Sequence, residues 1–298
     1  MTDERPTIRP VTLSRLVELT HACENSGKTT EELKDELDVT ERRARETILE
    51  ANRIDLLRGL GDDNSGYATT EIGKEFLDAI QRKEWDRVSS ILATRSPHYG
   101  EFLDVLDDVD QADLGDLLKL LEEKEEFTPY SFNQTGIEVV GDWAERLGRV
   151  QRNAFTGSYY SVDQSDIPDN FHFVLLSAYD DLEQTTGVDL RQRYLSIPRL
   201  RETVCERLKC RRADFDDALL AVSQQNVGKV ELSGAPLDTA AKDSALGIKR
   251  MELADDEGLV TTSQSTQQVM AGVELYDKQY YYFAVHDRDI TFDTEAYT

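Results

Sequence analysis

Apolar residues recur at helical spacing near the start of the chain and predict three helices followed by a hairpin. The first helix begins near Val11, and Gly27 marks its end. Thr29 or Thr30 is a suitable N-cap for the second helix, and the third helix begins near Thr40. Turn residues then separate two short strand signals, so the pattern predicts a hairpin. Its strands are expected at 54–60 and 67–69.

The same order of helices and a short strand signal appears twice more. Between 112 and 162, two helices precede a compact hairpin signal, VQRNAF-TG-SYYSV. After a polar linker, three apolar helices precede the strand KVELSGAP. The tail carries the runs VELYDKQYYYFAV and DITF, which predict two strands. We therefore expect four parts: modules at 1–110, 111–165 and 166–236, and a C-terminal segment at 237–298.

Three helices and a hairpin in this order resemble a winged helix-turn-helix. The stretch YATTEIGKEFLDAI resembles the wing strand and next helix of many archaeal and bacterial winged-helix regulators, where a Y-x-L-T-x-x-G-x-x-F/L pattern recurs. This chain departs from that pattern, because Ala68 and Thr69 precede Thr70 and the usual Leu is missing. The resemblance covers about a quarter of the chain and identifies a fold. It implies a mainly α protein with small β wings (α+β), built of tandem winged helix-turn-helix modules.

The charge balance opposes binding of a polyanion by the chain as a whole. The 34 Lys and Arg face 59 Asp and Glu, giving a net charge of -25. Only 11 of the cations are Lys and 23 are Arg. An acid-rich, lysine-poor composition resembles that of proteins from salt-loving archaea; an ordinary acidic protein is the open alternative. Any contact with nucleic acid must therefore be local.

Salt is expected to stabilise this chain. Crowded carboxylates repel one another at low ionic strength, whereas at molar salt the Debye length falls to about 3 Å. We predict a higher melting temperature in molar KCl than in dilute buffer, measured by thermal unfolding. A melting temperature that stays constant or falls would remove the argument for a halophilic protein.

One segment has the opposite charge to the rest of the chain. Between Arg191 and Arg212, eight bases face only Glu202 and Glu206, a local excess of six positive charges. The planar fork of arginine suits phosphate and bidentate base contacts, so we predict DNA contact here. The alternative is that these arginines pair with acids of the same chain or of a protein partner. The candidate residues are Arg191, Arg193, Arg199, Arg201, Arg207, Lys209, Arg211 and Arg212.

Two weaker basic groups are further candidates for DNA contact. Arg42, Arg43 and Arg45 share the third helix with Glu41, Glu46 and Glu50, which reduce its local charge. In the second hairpin, a wing in this interpretation, two arginines are placed to touch phosphate; polar strand residues facing solvent are the alternative. These two are Arg149 and Arg152.

The sequence offers little support for enzymatic chemistry. It contains no GxxxxGK[ST], GxGxxG after a strand, HExxH or GxSxG motif, and its four histidines are scattered. Its three cysteines match neither a disulfide framework nor a zinc set. We expect no cofactor and no metal. The polar start MTDERPTIRP and the absence of a long apolar run favour a soluble cytoplasmic protein without membrane contact.

These observations favour a non-catalytic DNA-binding protein. It would be a transcription regulator or a DNA-contacting subunit of a larger machine, such as a host-defence complex, bound to double-stranded DNA and to other protein subunits. Wings would lie along phosphates, and a helix of the first or third module would enter the major groove. The alternative is an adaptor that uses winged helices to dock proteins. Exposure of the 191–212 segment beside a wing favours DNA; cover by the acidic tail favours the adaptor.

Overall fold

The structure, a computed structural model, divides into two units. It describes residues 5–61, 66–125, 129–162, 167–185, 194–234 and 266–293. The first unit comprises the described residues up to Gln151, and the second those from Arg152 onward. This division falls inside the module predicted at 111–165. The finer boundaries at 110, 165 and 236 stay predictions.

Three helices and an antiparallel hairpin open the first unit. The second helix begins in a capping box, because the Thr29 hydroxyl accepts the N–H of Glu32 and the Glu32 carboxylate accepts the N–H of Thr29. The Thr40 hydroxyl caps the third helix by accepting the N–H of Arg43 at 3.3 Å. The elements are α1 (Leu13–Ala22), α2 (Thr30–Glu36), α3 (Glu41–Arg53), β1 (Leu57–Gly59) and β2 (Tyr67–Thr69).

The residues before α2 join the same small sheet as the hairpin. β1 pairs with β2 in antiparallel register, with Arg58 opposite Ala68. Lys28 forms an isolated antiparallel bridge to Tyr67 on the other side of β2, through the hydrogen bonds Lys28 N–H to Tyr67 O at 3.0 Å and Tyr67 N–H to Lys28 O at 2.8 Å. A strand-like residue therefore precedes α2, and β2 lies between it and β1.

A helical array completes the first unit. Trp143 is fully buried there, and its indole N–H donates to the carbonyl of Val11 at 2.9 Å. Helices α6, α7 and α8 pack on one another before the next two strands, which form a two-stranded sheet. The elements are α4 (Glu71–Gln81), α5 (Trp85–Arg95), α6 (Pro97–Asp108), α7 (Leu114–Glu125) and α8 (Gln134–Arg146). β3 (Val150–Arg152) crosses the division at Gln151, and β4 (Tyr159–Ser161) belongs to the second unit.

The second unit packs three helices against a small antiparallel sheet. Its central strand, β8, lies between β5 and β6, and β7 also pairs with β8. Phe283 of β8 is fully buried and lies opposite Leu195 on one side and Leu232 on the other. The elements are α9 (Phe171–Thr185), β5 (Tyr194–Ser196), α10 (Ile197–Leu208), α11 (Arg212–Gln225), β6 (Val230–Gly234), α12 (Thr266–Val269), β7 (Val273–Leu275) and β8 (Lys278–Val285).

Of the two runs predicted as strands in the tail, the first contains strand structure and the second does not. The run VELYDKQYYYFAV is a hairpin of two strands, because Tyr276 and Asp277 both adopt positive φ and turn the chain. The run DITF is not a strand. Its backbone is held by a side chain instead, since the Thr291 N–H donates to Asn226 Oδ1 at 2.8 Å. Phe292 packs on Phe171 with ring centroids 5.3 Å apart, which explains the alternating apolar pattern.

The described residues are thus mainly helical, with small antiparallel sheets. The predicted α+β class is confirmed at this level. In the described part of the chain, no helix has both the length and the apolar character that crossing a bilayer requires.

Candidate nucleic-acid interface

Helix α3 turns one face to the core and leaves its arginines at the surface. Ala44, Ile48 and Ala51 are buried at spacings of four and three residues. Arg42, Arg43 and Arg45 are all exposed. The amphipathic pattern of α3 therefore presents three guanidinium groups to solvent within one helical turn.

The ion pairs of these arginines are weak or absent. Arg42 Nε lies 3.2 Å from Glu46 Oε1, but the Arg42 side chain remains 88% exposed, so the pair contributes only about 0.3–0.5 kcal/mol. Among the described residues, neither Arg43 nor Arg45 takes part in an ion pair. A phosphate would displace little existing interaction at this surface.

A buried carboxylate fixes the C-terminal half of α3. Glu50 is fully buried, and its Oε1 accepts from Arg53 Nη2 at 2.6 Å. Its Oε2 accepts the backbone N–H of Arg9 at 3.2 Å, and Arg53 Nη1 donates to the Thr7 carbonyl at 3.0 Å. Burial raises the pKa of Glu50, although the charge of Arg53 lowers it. These bonds tie Thr7 and Arg9, which precede α1, to the buried side of α3.

A groove of about 600 Å³ runs beside the exposed face of α3. Its walls come from the start of α2, from α3 and from Tyr67 of the hairpin. The charges in the groove balance, because Lys34 and Arg45 face two carboxylates. The lining residues are Thr29, Thr30, Glu31, Lys34, Glu41, Arg45, Leu49 and Tyr67. Nearby, Arg58 is exposed on β1 of the same hairpin.

The basic segment of the second unit has two of its arginines in the core. Arg201 is 1% exposed; its Nε donates to Asp216 at 2.6 Å, and its Nη1 donates to the carbonyls of Val269 and Ala271. Arg212 is 6% exposed and forms a bidentate pair with Glu202, at 2.6 and 3.0 Å. Both guanidinium groups are enclosed by protein partners, and the prediction that these two side chains contact DNA stays untested. The alternative of internal pairing applies to them.

Glu202 and Glu206, the two acids of the 191–212 segment, accept hydrogen bonds from the turn at 153–158. Glu202 Oε2 accepts the N–H of Ala154 at 2.7 Å, while Arg212 Nη2 donates to the Arg152 carbonyl at 2.7 Å. One turn of α10 further on, Glu206 accepts from Asn153 Nδ2 at 2.9 Å and from the Ser158 hydroxyl at 2.5 Å. The carboxylates of α10 therefore fix the 153–158 turn between β3 and β4. Their role in the structure is to support packing.

Of the other cations of the segment, three have protein neighbours, one is exposed and two lie outside the described residues. Arg207 Nη2 donates to Asp181 at 2.8 Å. Arg199 lies over the Phe155 ring at 5.7 Å and Lys209 over the Tyr160 ring at 5.5 Å. Arg211 is exposed at the N-cap of α11. The structure does not describe Arg191 and Arg193, so their prediction stays open.

The two arginines predicted near the second hairpin are half-buried. Arg149 Nη1 lies 3.5 Å from Asp86 Oδ1. Arg152 lies 5.1 Å from the ring centre of Tyr159, in a cation–π contact. Both side chains have neighbours within their own unit, so contact with phosphate through them stays a prediction.

Helix α11 corresponds to α3 of the first unit, since each follows another helix and leads directly into a strand of a small antiparallel sheet. Its outward residues differ, however. Asp217 is exposed, and the one base of α11, Arg212, is buried. α11 therefore offers a polyanion no exposed cation of its own.

Asp216 is expected to make the second unit less stable as the pH rises. Burial raises its pKa from 3.8 to about 6, although Arg201 lowers it. Between these pH values the folded state holds a proton that the unfolded state has lost, so stability falls with rising pH in that window. Asp216→Asn should remove this contribution. We expect the variant to gain stability relative to the wild type from about pH 4 to about pH 6, in urea unfolding at fixed salt. If the difference in free energy of unfolding between the variant and the wild type does not change with pH, the raised pKa of Asp216 is contradicted.

Comparisons with known proteins give no family for this chain. No protein-family model matches it, and no curated protein matches it. Two solved structures are distantly similar. The first is magnesium ion-bound SspB, with 14% identity, a TM-score of 0.40, and coverage of 76% of this chain and 79% of that one. The second is the restriction endonuclease FokI, with 8% identity, a TM-score of 0.39, and coverage of 68% and 56%. At these TM-scores the likeness supports no conclusion about function.

The described residues contain no cluster of three His, Cys, Asp or Glu side chains placed to hold a metal ion. The three cysteines are buried, and none of them forms a disulfide. α2, α3 and the β1–β2 hairpin together form a groove beside exposed arginines, and this is the candidate site. Sequence reasoning found its arginines but missed the groove, whose walls come from residues up to 38 positions apart.

Proposed function

We propose that this chain is a non-catalytic DNA-binding protein whose first unit contacts duplex DNA through α3 and the β1–β2 hairpin. The observation that carries the proposal is the exposure of Arg42, Arg43 and Arg45 on α3. The adjoining hairpin exposes Arg58 on β1. A third helix followed by a hairpin is the arrangement in which the helix enters the major groove and the hairpin follows the phosphate backbone.

The proposal extends to a tandem winged-helix architecture, with one such module in each unit. It rests on a shared order: a helix, a strand or strand-like residue, two helices and two paired strands. In the second unit the paired strands are β6 and β8, and α12 and β7 lie between them in sequence. In the first unit the strand-like residue is Lys28, which pairs with β2. In the second unit β5 pairs with β8 in the same way. Within this scheme the protein serves as a transcription regulator or as a DNA-contacting subunit of a larger complex.

A protein-docking role is the second candidate, and the second unit favours it. Its α11 presents Asp217 and no exposed cation, which suits a protein partner better than DNA. Large aromatic side chains are also exposed among its described residues, namely Phe173 at 65%, Tyr194 at 41% and Tyr276 at 82%. Aromatic residues are enriched at the centres of protein interfaces. The two roles are compatible, with DNA on the first unit and a partner subunit on the second.

The test is equilibrium binding of the full chain to a fluorescein-labelled duplex of random sequence, followed by anisotropy from 0.05 to 1 M KCl. Three to four phosphate contacts predict that log K falls by about 3 for each tenfold rise in salt. We therefore expect binding at low salt and its loss at molar salt unless the sequence or a second subunit adds contacts. If no duplex binds at any salt, the proposal is wrong and the adaptor role takes its place.

A further inference from the structure

Three residues of α3 form a single row along the groove. Glu41, Arg45 and Leu49 are spaced by four residues and all line the cavity beside α2 and Tyr67. Glu41 and Arg45 are exposed, and Leu49 is half-buried. The row thus offers an acceptor, a forked donor and an apolar contact in sequence along the helix.

In the neighbouring row of α3, by contrast, two side chains form an ion pair. There Arg42 and Glu46, also four residues apart, form an ion pair at 3.2 Å. Glu41 and Arg45 have the same spacing and opposite charges, yet no ion pair joins them among the described residues. Their polar groups consequently remain available to a ligand in the groove.

The charge of the groove argues for base edges over phosphate. Glu31 and Glu41 offset Lys34 and Arg45, so the cavity gives a phosphate no net attraction. Base edges in the major groove are uncharged and carry donors, acceptors and the thymine methyl group. Arg pairs with guanine O6 and N7, Glu accepts from cytosine N4, and apolar side chains contact the thymine methyl.

We infer that the row of Glu41, Arg45 and Leu49 reads sequence in the major groove, with Arg45 selecting a guanine and Glu41 a cytosine. This inference rests on the proposed DNA binding by α3. Four residues of helix advance by about 6 Å and one base pair by about 3.4 Å, so the two selected positions lie roughly two base pairs apart. Leu49 then faces a position on the other side of the guanine and favours thymine there.

The experiment is selection of bound duplexes from a randomised library by the full chain in 0.1 M KCl. Wild-type, Arg45→Ala, Glu41→Gln and Arg42→Ala chains are compared, and each is confirmed as folded by circular dichroism. We expect the wild type to enrich duplexes with a guanine and a cytosine at this spacing. Arg45→Ala should lose the guanine preference and bind the selected duplex about 10- to 100-fold more weakly. Glu41→Gln should relax the cytosine position alone.

Arg42→Ala is the matched control, since it removes one guanidinium from the adjacent row. It should weaken selected and random duplexes by the same factor, as loss of a phosphate contact does. An Arg45→Ala chain that enriches the same sequences as the wild type would overturn this inference and leave DNA binding by α3 intact. If the wild type binds duplex but enriches no sequence from the library, this inference is also overturned and DNA binding by α3 is again left intact. Failure to bind any duplex would remove both the inference and the proposed function.

Discussion

Glu202→Ala is expected to lower the free energy of unfolding of the second unit by about 3–5 kcal/mol. The Glu202 carboxylate accepts two hydrogen bonds from Arg212 and one from the backbone of Ala154, and its side chain is 1% exposed. Its removal leaves the Arg212 guanidinium buried without a counter-charge. The measurement is urea unfolding of the full chain in molar KCl, followed by far-UV circular dichroism.

Two further variants show whether burial of the ion pair is the cause. Asp181→Ala removes the partner of Arg207, whose side chain is 36% exposed, and should cost less than about 1 kcal/mol. Glu202→Ala combined with Arg212→Met should recover part of the loss, because the double variant buries no unpaired charge. If Glu202→Ala and Asp181→Ala lower the free energy of unfolding equally, burial does not increase the contribution of the Glu202–Arg212 ion pair.

Reversal of the three arginines of α3 should weaken binding to random duplex at 0.1 M KCl by about 500-fold or more. The estimate combines counterion release at the two phosphates contacted by Arg42 and Arg43, about 60-fold at this salt concentration, with about tenfold for the base contact of Arg45. The variant combines Arg42→Glu, Arg43→Glu and Arg45→Glu, all at exposed positions, so the fold should be retained. Fluorescence anisotropy gives the affinity, and the slope of log K against log salt should become shallower by about 1.8.

The same unit provides a control with an identical change in net charge. Arg82, Arg87 and Arg95 are exposed on or next to α4 and α5, and each forms an ion pair with a nearby acid. Their reversal to Glu should cost less than tenfold in affinity. If both triple variants lose affinity equally, the overall charge governs binding and α3 has no specific part.

The first module was predictable because its signals are local. Thr29 with Glu32, and Thr40 alone, are cap sequences that act within one helical turn, and the structure has α2 and α3 beginning at these residues. The tail was less predictable. Strand β8 pairs with β5, more than 80 residues earlier, and its hairpin turn uses Tyr276 and Asp277 instead of an Asn-Gly pair.

A count of local charge does not predict which arginines of the 191–212 segment are buried. Its excess of six is correct, but burial of Arg201 and Arg212 depends on partners in other elements. One signal was present in the sequence: Arg201 lies four residues after Ile197 and four before Cys205, on the buried row of α10. A helical wheel of α10 would have placed it in the core. Arg42 and Arg43 of α3, by contrast, fall outside its apolar stripe.

Hydrogen–deuterium exchange of the full chain, with and without duplex DNA in 0.1 M KCl, tests the central claim most directly. If the first unit binds DNA through α3 and its hairpin, amides of α3, β1 and β2 should exchange more slowly in the complex. Amides of α10 and α11 should exchange at the same rate with and without DNA. Protection confined to α10 and α11, with α3 unchanged, would contradict the assignment of the DNA contact to the first unit.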